Sequence, residues 1–147
     1  MDTQPLLEGE YFHIYNRGVN SEDIFIEPRN YDYFLQQYNL YCSKVLETLT
    51  YAEVPRYDGH GTIRLNASRQ LGHFFNSYAQ SVNKAFKRTG PLFESPFERK
   101  LISDDSYLTS MIYYCHYNPQ LHEFVDDFKD WPFTSYHSVI ANDNSIV

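Results

Sequence analysis

The chain predicts an α+β fold built as one domain, on three observations. A short run at Tyr11–Asn16 alternates aromatic and aliphatic residues with polar ones. Two longer runs, Asn30 to about Leu49 and Ser68 to Phe86, repeat apolar residues at helical spacing, and Leu92–Ile102 returns to loose alternation. At 147 residues and 42% hydrophobic content there is material for one core and not two. Residues 1–140 are expected to form the domain, with 141–147 as a frayed tail.

The first strand, YFHIYN, closes at Arg17-Gly18, a glycine turn. After Pro28, the residues Tyr33, Phe34, Gln37, Tyr38, Tyr41, Val45 and Leu49 fall near one side of a helix, with Asn30 available as its N-cap. The stretch 51–67 holds Pro55, Gly59 and Gly61 without periodicity and reads as a loop. A second helix starts near Asn66 or Ser68. It places Leu71, Phe74, Phe75, Tyr78, Val82 and Phe86 on one face and Arg69, His73, Asn76, Gln80, Lys84 and Lys87 on the other. Thr89-Gly90-Pro91 is its stop signal.

Within Leu92–Ile102, Pro96 demotes part of the run to an edge or bulged strand. Ser103 or Asp104 can cap a third helix, whose apolar residues Leu108, Met111, Ile112 and Cys115 line one side before Asn118-Pro119 ends it. The tail DWPFTSYHSVI carries aromatics that pack back onto the domain.

A net charge of −7 argues against a polyanion partner for the chain as a whole, but the charges are unevenly placed. Between Arg56 and Lys100 eight Lys and Arg face three acids, a net of +5, which leaves −12 for the remainder. A basic middle in an acidic chain fits either a polyanion-binding surface or a solvated helix face. Lys84, Lys87, Arg88, Arg99 and Lys100 flank one helix-to-strand junction and form the best candidate track, with Phe93 and Phe97 as stacking rings; the plain alternative is a basic helix terminus. Cys42 and Cys115 stand far apart with no CxxC, which points to neither a zinc site nor a disulfide framework and fits a reducing cytoplasm. No export signal or membrane-spanning run is visible.

Four segments stand in order along the chain: YFHIYNRG followed by Ile24-Phe25, FNSYAQSVNKAFKRTG leading into GPLFESPFERKLI, YYCHYNP from Tyr113 to Pro119, and DWPFTSYHS from Asp130 to Ser138. Together they resemble the REP-associated tyrosine transposases, small bacterial enzymes of the HUH superfamily related to the insertion-sequence-200 type. The resemblance spans most of the chain and implies a DNA partner, hairpin or single-stranded. It implies a ferredoxin-like antiparallel sheet with helices on one face. It also implies strand cleavage and rejoining through a 5′-phosphotyrosine, with a divalent cation, Mg or Mn, polarising the phosphate. Tyr78 matches the nucleophile, although periodicity alone reads it as a core tyrosine. Arg17, with Asn16, matches an Asn-Arg pair at the end of the first strand; a turn residue paired with Glu22 or Asp23 is the alternative.

The resemblance also calls for two histidines spaced by one apolar residue on a strand, as metal ligands. The six histidines here, His13, His60, His73, His116, His122 and His137, include no such pair. Leu49-Thr50-Tyr51-Ala52 runs directly into Glu53, as though one hairpin had been excised. The expectation is therefore an incomplete sheet, no histidine metal site, and impaired cleavage with DNA binding retained. A non-catalytic regulatory remnant and an unrelated interaction domain are the alternatives. Some relatives share active sites between two copies, so a monomer and a homodimer both remain open.

Overall fold

The structure, a computed structural model, describes residues 5–46, 66–94 and 96–142. Strand β1 (Tyr11–Tyr15) pairs antiparallel with β2 (Glu98–Ile102), with Tyr11 opposite Ile102, His13 opposite Lys100 and Tyr15 opposite Glu98. The pairing continues beyond the strands through a bridge between Gly18 and Phe93, a Val19 N–H bond to the Leu92 carbonyl and a Glu94 N–H bond to the Arg17 carbonyl. With helices α1 (Arg29–Cys42), α2 (Ala67–Ala85), α3 (Asp105–Leu121) and α4 (Tyr136–Ile140), the fold is α+β. Among the described residues the sheet has these two strands. The join at Leu49–Glu53, the loop around His60 and the end of the tail from residue 143 lie outside the described residues.

Helices α1 and α2 pack antiparallel. Tyr33 of α1 meets Ser81 of α2 at 2.8 Å, and one turn on Gln37 meets Ser77 at 2.8 Å, so one helix advances four residues as the other retreats four. The aromatic stripe predicted for the second helix is the one that packs. Leu71 and Phe74 join Cys42 and Phe97 in one cluster, while Tyr78 and Val82 join Leu92 and Phe93 in the next. Each fully buried side chain of this size contributes ~1.5–3 kcal/mol relative to exposure. Phe93 and Phe97, expected as stacking rings, are part of this core, at 7% and 9% exposure.

Ile14 and Phe97 turn toward α1 and α2. Residues facing each other across an antiparallel pair share a face, so His13 and Lys100 lie on the opposite one, and α3 comes over them. The Lys100 ammonium sits 5.2 Å above the Tyr107 ring and the His13 ring lies 6.4 Å from that of Tyr114. The helices are thus not confined to one face. The two-residue link Ser103-Asp104 turns the chain straight from β2 into α3, leaving no length to cross back.

Helix ends depart from expectation in three places. Asn30 is not the N-cap of α1; Pro28 holds that position, and the buried Asn30 side chain instead accepts from Ile26 N–H at 3.0 Å and Glu27 N–H at 2.8 Å. Helix α1 stops at Cys42, short of Leu49, because the Cys42 carbonyl takes the N–H groups of both Val45 and Leu46 in a turn. Pro119 lies inside α3 instead of ending it. The helix closes later, where Glu123 adopts φ +61° and Phe124 N–H bonds the Pro119 carbonyl at 2.9 Å. Asn66 and Asp104 do cap as predicted, accepting from Arg69 N–H and Tyr107 N–H. The residues expected to line α3 are partly buried, and its buried positions are His116 and Pro119.

The tail docks by rings. Tyr31 stacks on Phe133 at 3.9 Å and meets Trp131 edge-on at 5.9 Å, while His116 Nε2 lies 2.9 Å from Ser135 Oγ and holds α4 to α3.

Candidate functional site

Tyr78 sits midway along α2, where the helix crosses both α1 and the segment that leads into β2. Its side chain is fully buried, and its hydroxyl donates to the Ile24 carbonyl at 2.8 Å. Phe34 meets the ring edge-on at 4.9 Å, with Phe25, Tyr33 and Phe93 at 6.0, 6.1 and 6.1 Å. Desolvation pushes the phenol well above the usual tyrosine range, and neighbouring Tyr31 and Tyr33 add to the rise. A neutral phenol in a ring cage is a good hydrogen-bond donor and a poor nucleophile.

The histidine pair that would ligate a divalent cation is absent from the sequence, and the described residues do not replace it. No three His, Cys, Asp or Glu side chains among them converge. The Tyr78 hydroxyl meets a backbone carbonyl and rings, a surrounding that does not fit Mg or Mn. Among the histidines, His13 stacks on Tyr15 at 4.8 Å, His116 pairs with Ser135 and His137 faces the Lys129 carbonyl at 2.7 Å.

The candidate cations fall into two groups. Arg99 donates to Ser68 Oγ at 2.6 Å and lies 4.5 Å over the Phe97 ring, which puts it beside the first turn of α2. Lys84 stands sixteen residues further along α2, ~24 Å away at 1.5 Å per residue. Lys84, Lys87 and Arg88 therefore occupy one end of the helix pair, and Arg99 and Lys100 belong to the other. Chain adjacency hides this separation, because Leu92 and Phe93 pack with Val82 whereas Phe97 packs with Leu71, near the opposite end of α2.

Several of these cations already have anionic or ring partners. Arg17 pairs with Glu94 at 2.6 Å and not with Glu22 or Asp23, the partners of the alternative reading, and Arg88 pairs with Glu22 while also donating to Asn83 Oδ1 at 2.9 Å. Lys84 and Lys87 are exposed, and no carboxylate pairs with them among the described residues. A groove of about 340 Å³ opens at their end, lined by Arg29, Asn30, Tyr33, Ser81, Val82 and Phe86. Tyr78 does not line it.

Sequence reasoning missed the segment that covers Tyr78. Between Gly18 and Pro28, Ile24 and Phe25 pack against the Tyr78 cluster, and Glu22 reaches Arg88. The available signal was the Ile24-Phe25 pair, apolar residues in a stretch otherwise rich in polar ones.

Among known proteins, a Haemophilus influenzae protein described as a REP-associated tyrosine transposase is 30% identical over 90 residues, 58% of this chain and 50% of that protein. The aligned part thus spans about half the length of the curated relative. No family model matches, and no solved structure matches significantly. This distant, partial relative agrees with the resemblance carried by the four segments. No described helix is long and apolar enough to cross a membrane.

Proposed function

We propose that the chain is a transposase-family DNA-binding protein that recognises single-stranded or hairpin DNA, with strand cleavage and rejoining impaired. The Haemophilus relative supports the family half of this reading. The observation that carries the impairment is the Tyr78 hydroxyl, fully buried and committed to the Ile24 carbonyl. Tyr78 stands in the position of the ancestral nucleophile. A divalent cation, Mg or Mn, would supply phosphate polarisation in that ancestral chemistry. The chain's own cations serve binding: Lys84 and Lys87 offer exposed charge at one end of the helix pair, with Arg17 and Arg88 as guanidinium forks for phosphate and Arg99 and Lys100 at the other end.

The test incubates the protein and Tyr78→Phe with labelled hairpin and single-stranded oligonucleotides, with Mg²⁺ or Mn²⁺. Binding that weakens steeply with salt and no covalent adduct are expected from both proteins. Absent or salt-independent binding would favour an interaction domain over a DNA-binding one. An adduct that requires Tyr78 would overturn the impairment.

A further inference from the structure

We infer that the segment from Gly18 to Pro28 is a strap closed over Tyr78 by the Glu22–Arg88 ion pair, and that a DNA phosphodiester taking Arg88 from Glu22 opens it. The inference rests on the DNA-binding reading and adds to it a site of phosphate exchange that controls access to the tyrosine.

The strap is hydrogen-bonded at both ends, and in the middle it is held by the Tyr78 hydroxyl and by the packing of Ile24 and Phe25 on the Tyr78 cluster. At its start Gly18 is bridged to Phe93, and a Cβ there would lie 2.0 Å from the Glu22 carbonyl oxygen, so only glycine lets the chain fold back this tightly. The fold-back passes through Asn20 and Ser21 at φ +54° and +60°, left-handed conformations that non-glycine residues adopt at a cost. At its far end the Asn30 carboxamide accepts two strap N–H groups, from Ile26 and Glu27. In between, the Ile24 carbonyl receives the Tyr78 hydroxyl.

The latch has an inner and an outer half. Arg88 is fixed by its bond to Asn83 at the end of α2 and its side chain is 21% exposed, whereas the Glu22 side chain is 49% exposed and belongs to the strap. A phosphodiester presents two oxygens to a guanidinium in the same geometry as a carboxylate. Lys84, in the last turn of α2, and Lys87, just past its end, would raise the local concentration of a polyanion. Displacing Glu22 removes an ion pair that ties the strap's strained half to α2, two residues from the carbonyl that caps Tyr78.

The experiment reads Tyr78 nitration by tetranitromethane, mapped by peptide mass against Tyr113, which is 60% exposed. Backbone amide exchange at Ile26 and Glu27 is followed in parallel, and oligonucleotide binding is measured by fluorescence anisotropy. The wild-type protein should protect Tyr78. Glu22→Gln and, independently, Arg88→Gln should raise its nitration and the two amide exchange rates by up to about fivefold, the range of one lost partly exposed ion pair. Exchange in the core of α2 should stay unchanged. A saturating single-stranded oligonucleotide should produce the same rise in wild type and little more in Glu22→Gln. Unchanged protection in both variants overturns the latch, and binding that leaves Tyr78 protected overturns the coupling to phosphate. If the variants expose Tyr78 but no oligonucleotide binds, the DNA reading and the phosphate trigger fall together while the latch stands.

Discussion

The Tyr78 hydroxyl donates to the Ile24 carbonyl at 2.8 Å across 54 positions of sequence, joining the middle of α2 to the segment that follows β1. A bond of this kind has a stability consequence that an idle nucleophile would not have. Removing the donor leaves a carbonyl unpaired among rings, which costs ~1–2 kcal/mol. Tyr78→Phe should therefore lower the melting temperature by about 3–8 °C for a chain of this length, measured by thermal unfolding. A neutral result would mean that the hydroxyl is free in solution and available for chemistry.

At the end of α2, Lys87 occupies the left-handed position usually given to glycine. Its φ is +53°, and Arg88 N–H reaches back to the Asn83 carbonyl at 2.9 Å, the six-to-one bond of a Schellman cap. A lysine there carries the Cβ penalty of left-handed backbone, part of which is offset by its smaller unfolded-state entropy. Lys87→Gly should stabilise the protein by ~0.5–1 kcal/mol in denaturant titration. The same change should weaken DNA binding and reduce its salt dependence by about one ion, since a phosphate-accessible cation is lost.

What could be read in the chain beforehand divides by range. The stripe Leu71, Phe74, Tyr78 and Val82 and the caps Asn66 and Asp104 are local patterns, and they pack and cap as their spacing predicts. Thr89-Gly90-Pro91 announces the stop of α2, and Gly90 does take φ +86°, but the left-handed turn that closes the helix falls earlier, on Lys87, whose type carries no such signal. Arg88 and Arg99 look like neighbours in sequence, yet Phe93 packs with Val82 and Phe97 with Leu71, which sends Arg99 to Ser68. Tyr78 lies on a stripe that serves a core residue and a sheet-facing nucleophile equally, so only its partner could separate the two roles.

Gly18 owes its place to a backbone approach and not to its own dihedrals. A methyl group there would fall 2.0 Å from the Glu22 carbonyl oxygen and 3.0 Å from its carbon, both rigid backbone atoms. Gly18→Ala must push the strap outward, at a cost of ~1–3 kcal/mol. The displaced strap should also raise amide exchange at Ile26 and Glu27 more than at α3, which hydrogen–deuterium exchange resolves. Equal exchange throughout the chain would point to global destabilisation.

Mild acid should weaken the fold through two histidines. His116 is buried beside Ser135, and desolvation lowers its pKa; His13 is lowered by desolvation first and by the Lys100 ammonium second. Both therefore bind fewer protons in the folded state than an unfolded histidine titrating at about 6.5. Where the unfolded chain binds more protons, stability rises with pH, so it should decline as pH falls through about 6.5 toward 5. Asp104 and Asp127 act in the same direction but lower on the scale. Backbone hydrogen bonds depress both carboxyls, whose contribution is lost only as pH falls below the usual carboxylate range near 4. Denaturant midpoints measured from pH 7.5 to 5 should thus fall for the wild type, and His116→Asn should flatten part of that slope. If the slope survives in both His116→Asn and His13→Gln, groups other than these two imidazoles govern the acid response.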